Sequence, residues 1–236
     1  MNELSVLKNN LNEIENKINI VFQNKDLLML SFIHSSYINE NKKIITHHNE
    51  RLEFLGDSAL NFIVADYLYE KLSEAAEGKL SLIRSKLVNA LSCAKYYHIL
   101  KLDDYVILGK GEKVALRGKE TIFSDAFEAL IGAIYLDKGF NLTKEFILKN
   151  FQNDFDEAIN NPGIDFKGKL QEYSQKKFQQ PPEYKILKEE GPEHSKVFTV
   201  AVLINNEEMG LGKGFSKKQA ELIAAEEAFN KLNLEG

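Results

Sequence analysis

Up to about residue 160, hydrophobic positions recur at spacings of three and four, the pattern of amphipathic helices. Residues 58–71, 81–100 and 121–136 carry it most strongly, so this part of the chain is predicted to be all-α. The pattern changes at the turn-forming cluster Asn160-Asn161-Pro162-Gly163. All four prolines, Pro162, Pro181, Pro182 and Pro192, lie at or beyond it. A helix is predicted over 165–177, followed by an alternating strand after Pro181-Pro182. A second strand, rich in β-branched and aromatic residues, is predicted over 196–204. A short third strand, over 207–213, is entered through the turn signal Asn205-Asn206. The closing helix, over 216–232, has Ser216 as N-cap and Gln219 as its capping-box partner. The predicted architecture is an all-α domain over 1–158, a linker over 159–164 and an α+β domain of order α-β-β-β-α over 165–236.

The stretch NERLEFLGDSAL (49–60) breaks the usual division of a helix into wet and dry faces. At about 100° per residue, Glu50, Glu53 and Asp57 fall within roughly 60° of arc. Such a stripe is usually a solvated face. Here Phe54, Leu60 and Val64 project onto or beside it, while Leu52, Leu55 and Ile63 cover the other sides. No wet face is expected to remain, and carboxylates in apolar surroundings must be protonated, paired with cations or bound to metal.

A second pair, Asp125 and Glu128, sits one turn apart in TIFSDAFEALIGAIYLD (121–137), a helix expected to be buried nearly all round. Gly56 and Gly132 lie inside these two helices, where each costs about 1 kcal/mol relative to alanine. Their presence predicts close helix packing that gathers Glu50, Glu53, Asp57, Asp125 and Glu128. Two unit charges 4 Å apart interact by about 4 kcal/mol at an effective dielectric near 20. A hard divalent ion such as Mg²⁺ or Mn²⁺ would relieve that repulsion. So would pairing with Arg51, Arg84 or Lys86, and the residues alone leave both open.

Composition narrows the setting. The chain is 44% hydrophobic and 28% charged, values of an ordinary globular protein with enough apolar content for a core. One cysteine, Cys93, excludes a disulfide framework and a cysteine-rich zinc site. Residues 1–10 lack the apolar core of a secretory signal, and no apolar run approaches the roughly 18 residues of a membrane span. The expectation is a cytoplasmic protein with no membrane partner. The net charge of −5 at first argues against a nucleic-acid partner, but the sum misleads if a few lysines on one face bind while metal ions cancel acidic groups elsewhere. His47 and His48, in a polar loop, are expected to be exposed rather than ligating.

NERLEFLGDSAL is similar to the signature helix of the ribonuclease III family, and SDAFEALIGAIYLD (124–137) resembles its second catalytic helix. The resemblance continues through LSFIHSSY (30–37), LSLIRSKLVN (80–89) and LGKGEK (108–113), and residues 165–232 look like a double-stranded RNA-binding domain. It implies an all-α nuclease domain joined to that α+β domain. It also implies an Mg²⁺-dependent endonuclease, with Mn²⁺ as a possible substitute, that cuts double-stranded RNA to 5′-phosphate and 3′-hydroxyl ends in rRNA and mRNA processing. By carry-over, Glu53, Asp57, Asp125 and Glu128 hold metal, with Asp57 and Glu128 essential for catalysis, and Glu50 is an acid of the substrate side and subunit interface. Cutting both strands of an antiparallel duplex calls for two equivalent sites on a two-fold axis, hence a homodimer through the nuclease domain. Uncovered apolar residues of the signature helix are candidates for its interface. Ile33, where the family commonly has threonine, and the glycine-poor VALRGKET (114–121) depart from the pattern without touching the acids.

In the second domain, Lys217 and Lys218 open the last helix, where the macrodipole disfavours cations unless a phosphate joins them. SKKQAE (216–221) matches the family's RNA-binding motif, with Lys213 on the approach. Gln171 and Glu172 match positions that reach the RNA minor groove, and His194 lies in a loop that enters the next one. Gly168 stands where a polar contact is common. Lys110, Lys113, Arg117 and Lys119 form a basic loop leading towards Asp125, either to steer RNA or only to solubilise the loop. A non-catalytic RNA-binding scaffold would retain the fold while losing acids, and all five are present. A metal-dependent nucleotide hydrolase would leave the second domain idle.

Overall fold

The computed structural model describes residues 3–41, 47–114, 119–191 and 196–234. The chain divides into two compact units, Met1–Pro162 and Gly163–Gly236. The first is helical: α1 Glu3–Ile18, α2 Lys25–Ser31, α3 Ser35–Asn41, α4 Glu50–Lys71, α5 Glu77–Leu87, α6 Ala90–Ile99, α7 Lys110–Val114 and α8 Lys119–Asn160. The second runs α9 Phe166–Phe178, β1 Glu183–Glu190, β2 Val197–Ile204, β3 Glu207–Gly214 and α10 Lys217–Lys231. No helix among the described residues is long and apolar enough to cross a membrane.

The helix expected over 81–100 is two helices. Val88 leaves helical geometry (φ −113°, ψ 12°), and Asn89 caps α6 by accepting the Ser92 N–H at 2.9 Å. Apolar spacing carries across such a break because both helices bury the same side, so periodicity cannot reveal it. The run α8 bends at Gly139 (φ 79°, ψ 179°) and again at Phe151.

The core of the first unit is the crossing of α4 and α8. Leu52, Leu60, Ile63 and Val64 on α4 are buried, as are Ala126, Phe127, Ala129, Leu130, Ile131, Ala133 and Ile134 on α8. At the crossing the backbones touch. A Cβ built on Gly56 would lie 1.7 Å from the Glu128 carbonyl oxygen, and one on Gly132 would lie 2.2 Å from that of Leu52. The propensity cost of both glycines thus has a structural counterpart in close helix approach. The segment before α3 is tied in by a short parallel bridge between Ile33 and Ile107, and the Asn49 N–H donates to the Ile33 carbonyl at 2.9 Å. This fixes where α4 begins.

In the second unit β1, β2 and β3 form an antiparallel sheet in that order, with a register shift between Ile186 and Lys188. Asn205 and Asn206, both at positive φ (51° and 65°), make the two-residue turn of the β2–β3 hairpin. Leu170, Val202, Ile204, Ala224, Ala225, Ala228 and Phe229 form its core. Ser216 Oγ accepts the Gln219 N–H at 3.1 Å, the predicted N-cap, while Gln219 Oε1 accepts the Phe215 N–H at 2.8 Å, one residue before the N-cap N–H that a capping box would reach.

Gly56→Ala and Gly132→Ala force the helices apart and are expected to cost more than the about 1–3 kcal/mol typical of overpacking. Gly111→Ala, in open space on α7, should be neutral or stabilise by up to about 1 kcal/mol. Urea denaturation of the three variants measures this, and equal stabilities would contradict the close crossing.

Candidate active site

Both crossing helices carry carboxylates at one-turn spacing, and the glycines lie among them. Gly56 falls between Glu53 and Asp57, and its missing side chain faces the Glu128 backbone. Short acidic side chains on the two helices can therefore meet. One carboxylate oxygen each from Glu53, Asp125 and Glu128 lies within 4.8 Å of the others, and all three residues are half-buried. Among the described residues no other group of histidines, cysteines and acids has this geometry.

The two remaining acids flank this trio. Asp57 is exposed, and its Oδ1 accepts from Asn61 Nδ2 at 2.9 Å. Glu50 is exposed, with Oε2 3.7 Å from His48 Nδ1. The expectation that the whole stripe is enclosed is therefore corrected. Glu50, Phe54 and Asp57 face outward, Phe54 with 78% of its surface exposed, while Leu60 and Val64 are buried. A helical wheel ranks neighbours on one helix, but what covers each sector is decided by other elements. Here they cover only part of the acidic side.

Burial and the neighbouring acids raise the pKa of each member of the trio. Glu128 is pushed up to about 7, first by desolvation and then by the charges of Asp57, Asp125 and Glu53. Glu53 is raised by desolvation and by Asp125, Glu50 and Asp57. Asp125 is raised by desolvation, with His34 opposing. The rival cations are elsewhere: Arg51 and Arg84 form no ion pair among the described residues, and Lys86 donates to the Asn161 carbonyl at 2.6 Å. Half-buried carboxylate oxygens from two helices, without a cationic side chain between them, are a donor set that suits a hard divalent ion.

Several neighbours of the acids carried no signal for a role here. Cys93 on α6, fully buried, donates through Sγ to the Val88 carbonyl at 3.8 Å, and burial, followed by the charge of Glu128, pushes its thiol far up. Ser36 Oγ lies 2.8 Å from His34 Nδ1 and accepts the Gly109 N–H at 2.9 Å, tying the HSSY and LGKGEK segments together beside Asp125. Glu40 accepts the Lys110 N–H at 3.1 Å. Contacts of this kind join residues distant in sequence, and spacing cannot register them. Asn49 is buried, and its side-chain amide has no hydrogen-bond partner among the described residues.

Of the basic loop, Lys110 and Lys113 are exposed and Lys113 pairs with Glu3, while Arg117 and the Lys119 side chain lie outside the described residues. In the second unit, Gln171 and Glu172 are exposed on α9, and Lys213, Lys217 and Lys218 are exposed around the start of α10. His194 lies outside the described residues.

Residues 24–155 match the family model Ribonuclease-III-like, and residues 166–232 match Double-stranded RNA binding motif. The chain belongs to the ribonuclease III family. Family members are endoribonucleases. Ribonuclease 3 of Protochlamydia amoebophila is 49% identical over 94% of this chain and 91% of its own length. Ribonuclease 3 of Clostridium perfringens is 44% identical over 94% of both. The nuclease domain of ribonuclease III from Campylobacter jejuni, a structure concerned with a region involved in dimer formation, superposes with a TM-score of 0.54. It is 39% identical, covering 61% of this chain and 96% of that one.

An acid whose pKa is raised on folding costs stability as pH climbs from its unfolded to its folded value, here from about 4.5 to about 7 for Glu128. In chelator, Glu128→Gln is therefore expected to raise Tm at pH 8 by roughly 2–4 °C, discounting for partial solvent screening. The difference should vanish below about pH 4.5. Scanning calorimetry across pH checks this, and a Tm gain independent of pH would contradict it.

Proposed function

We propose that this ribonuclease III family member is a homodimeric, Mg²⁺-dependent endonuclease that hydrolyses phosphodiester bonds in double-stranded RNA. Its products carry 5′-phosphate and 3′-hydroxyl ends, and its work lies in rRNA and mRNA processing in the cytoplasm. The observation that carries the reading is the meeting of Glu53, Asp125 and Glu128 oxygens across two helices, with no lysine or arginine paired to them among the described residues. In this reading residues 1–158 are the nuclease domain, 159–164 the linker and 165–236 the RNA-binding domain.

Glu53, Asp125, Glu128 and the adjacent Asp57 would hold the ion, with Mn²⁺ a possible substitute for Mg²⁺. When bound, the ion supplies Lewis-acid stabilisation of charge building on the phosphate and makes water a usable nucleophile at neutral pH. The residues themselves do the rest. The close helix crossing fixes the carboxylates in place before substrate arrives, so little reorganisation remains at the moment of reaction. Glu128 must lose a proton to become a ligand, which makes it the acid most sensitive to its surroundings. Asp57 and Glu128 are assigned the essential roles, and Glu50, on the exposed side, serves substrate and interface. Gln171, Glu172, His194, Lys213, Lys217 and Lys218 are assigned to RNA, reading duplex shape more than sequence.

The dimer reading is supported by the uncovered side of α4. Phe54, Phe62 and Tyr69 are 78%, 61% and 76% exposed and fall within roughly 80° of arc. Apolar surface of that kind on a soluble helix marks an interaction site.

Purified protein is expected to cut a long RNA duplex with Mg²⁺ and to leave it intact in chelator. Glu128→Gln should still bind the duplex while cutting at least a hundredfold more slowly, on the order of what one essential electrostatic group supplies. Gel analysis of end-labelled RNA reads this, and equal cutting by the variant would remove Glu128 from the chemistry. Phe54→Asp should shift the protein from dimer to monomer in sedimentation velocity, and a dimer unchanged at micromolar concentration would contradict the interface assignment.

A further inference from the structure

Glu189, near the end of β1, reaches the start of α10. Its Oε1 lies 3.4 Å from Lys217 Nζ, and its Oε2 lies 3.8 Å from Lys196 Nζ. The β1–β2 register sets Glu189 opposite Phe198, and Lys217 Nζ stands 5.6 Å from the centroid of that ring. Lys217 is thus held between a carboxylate and an aromatic face. Lys213 and Lys218 are exposed and make no ion pair among the described residues.

The first N–H groups of a helix have no intrahelical partner, and the dipole there favours an anion. In α10 the Ser216 hydroxyl takes the Gln219 N–H, which leaves the N–H groups of Lys217 and Lys218 open to an oxyanion. In the folded chain the oxyanion next to Lys217 is the Glu189 carboxylate. A carboxylate and a phosphate offer the same kind of acceptor to an ammonium group and repel each other, so the two compete for Lys217.

We infer that Glu189 is a built-in competitor for the RNA phosphate at Lys217 and sets how tightly the second unit grips a duplex. The inference rests on the assignment of Lys217 to RNA made above. The side chains of Glu189, Lys196 and Lys217 are 38%, 40% and 55% exposed, so the ion pairs are wet and weak. A buried pair would lock Lys217 away from substrate. An exposed one holds the lysine ready, at low cost to break, and yields to a backbone that offers many phosphates at once. The effect is a moderated affinity, which favours departure of cleaved RNA.

The test uses the full chain in chelator, so that RNA is bound but not cut, with a labelled duplex longer than about 16 base pairs at several salt concentrations. Glu189→Gln is expected to tighten binding roughly two- to fivefold at low salt. The salt dependence should steepen by about one ion, with the gain fading as salt rises. Lys217→Ala should weaken binding, and on that background most of the gain from Glu189→Gln should disappear. Glu190→Gln removes the same charge from the neighbouring exposed acid and should gain little. Equal gains for the two glutamates, or no gain from Glu189→Gln while Lys217→Ala still weakens binding, would overturn the competitor role and leave the RNA assignment standing. Undiminished binding by Lys217→Ala would overturn both.

Discussion

Everything chemical in the first unit hangs on backbone contact between α4 and α8 at Gly56 and Gly132. Ordinary helix pairs stand about 8–10 Å apart, held off by their side chains. Here a side chain at Gly56 would collide with a carbonyl oxygen of the partner helix, so the axes draw in. The close crossing sets acids of the two helices facing one another, and one carboxylate oxygen each from Glu53, Asp125 and Glu128 lies within 4.8 Å of the others. The glycines that weaken each helix in isolation hold that crossing tight.

That trio is costly to the folded chain. Its members are half-buried and mutually repelling, and Glu128 answers by holding its proton to about 7. A fold that stores repulsion in this way is stabilised by whatever cancels the charge, so a divalent ion bound as proposed would couple its binding to folding. The proposed metal site and the raised pKa are two consequences of the same geometry. A proton and a metal ion compete for one set of oxygens. The buried thiol of Cys93 against Glu128, and the His34–Ser36–Gly109 chain beside Asp125, extend this arrangement into the surrounding packing.

The second unit uses electrostatics in the opposite sense. Its sheet and α10 form an independent core, and the exposed lysines gather where the helix dipole would reject them unless an anion comes. In the folded chain that anion is Glu189. A protein with a net charge of −5 can thus carry a basic RNA face, because local pairing decides what a phosphate meets and the sum over the chain does not.

The sequence by itself determined the helical class of the first part, the α-β-β-β-α order of the second, the Ser216 N-cap of α10 and the two-asparagine turn. These rest on interactions between residues a few positions apart, and periodicity and turn chemistry report such interactions directly. The pairing of Gly56 with Gly132 was also legible, because a glycine inside a helix needs a reason. Tertiary structure alone decided that the helix expected over 81–100 is broken at Val88, and that Glu50, Phe54 and Asp57 face outward while Glu53 does not. It also decided that Arg51, Arg84 and Lys86 stay away from the acids and that Glu189 occupies Lys217. Each of these depends on which distant segment covers or meets a given side chain. A chain written as neighbours in sequence holds no record of neighbours in space.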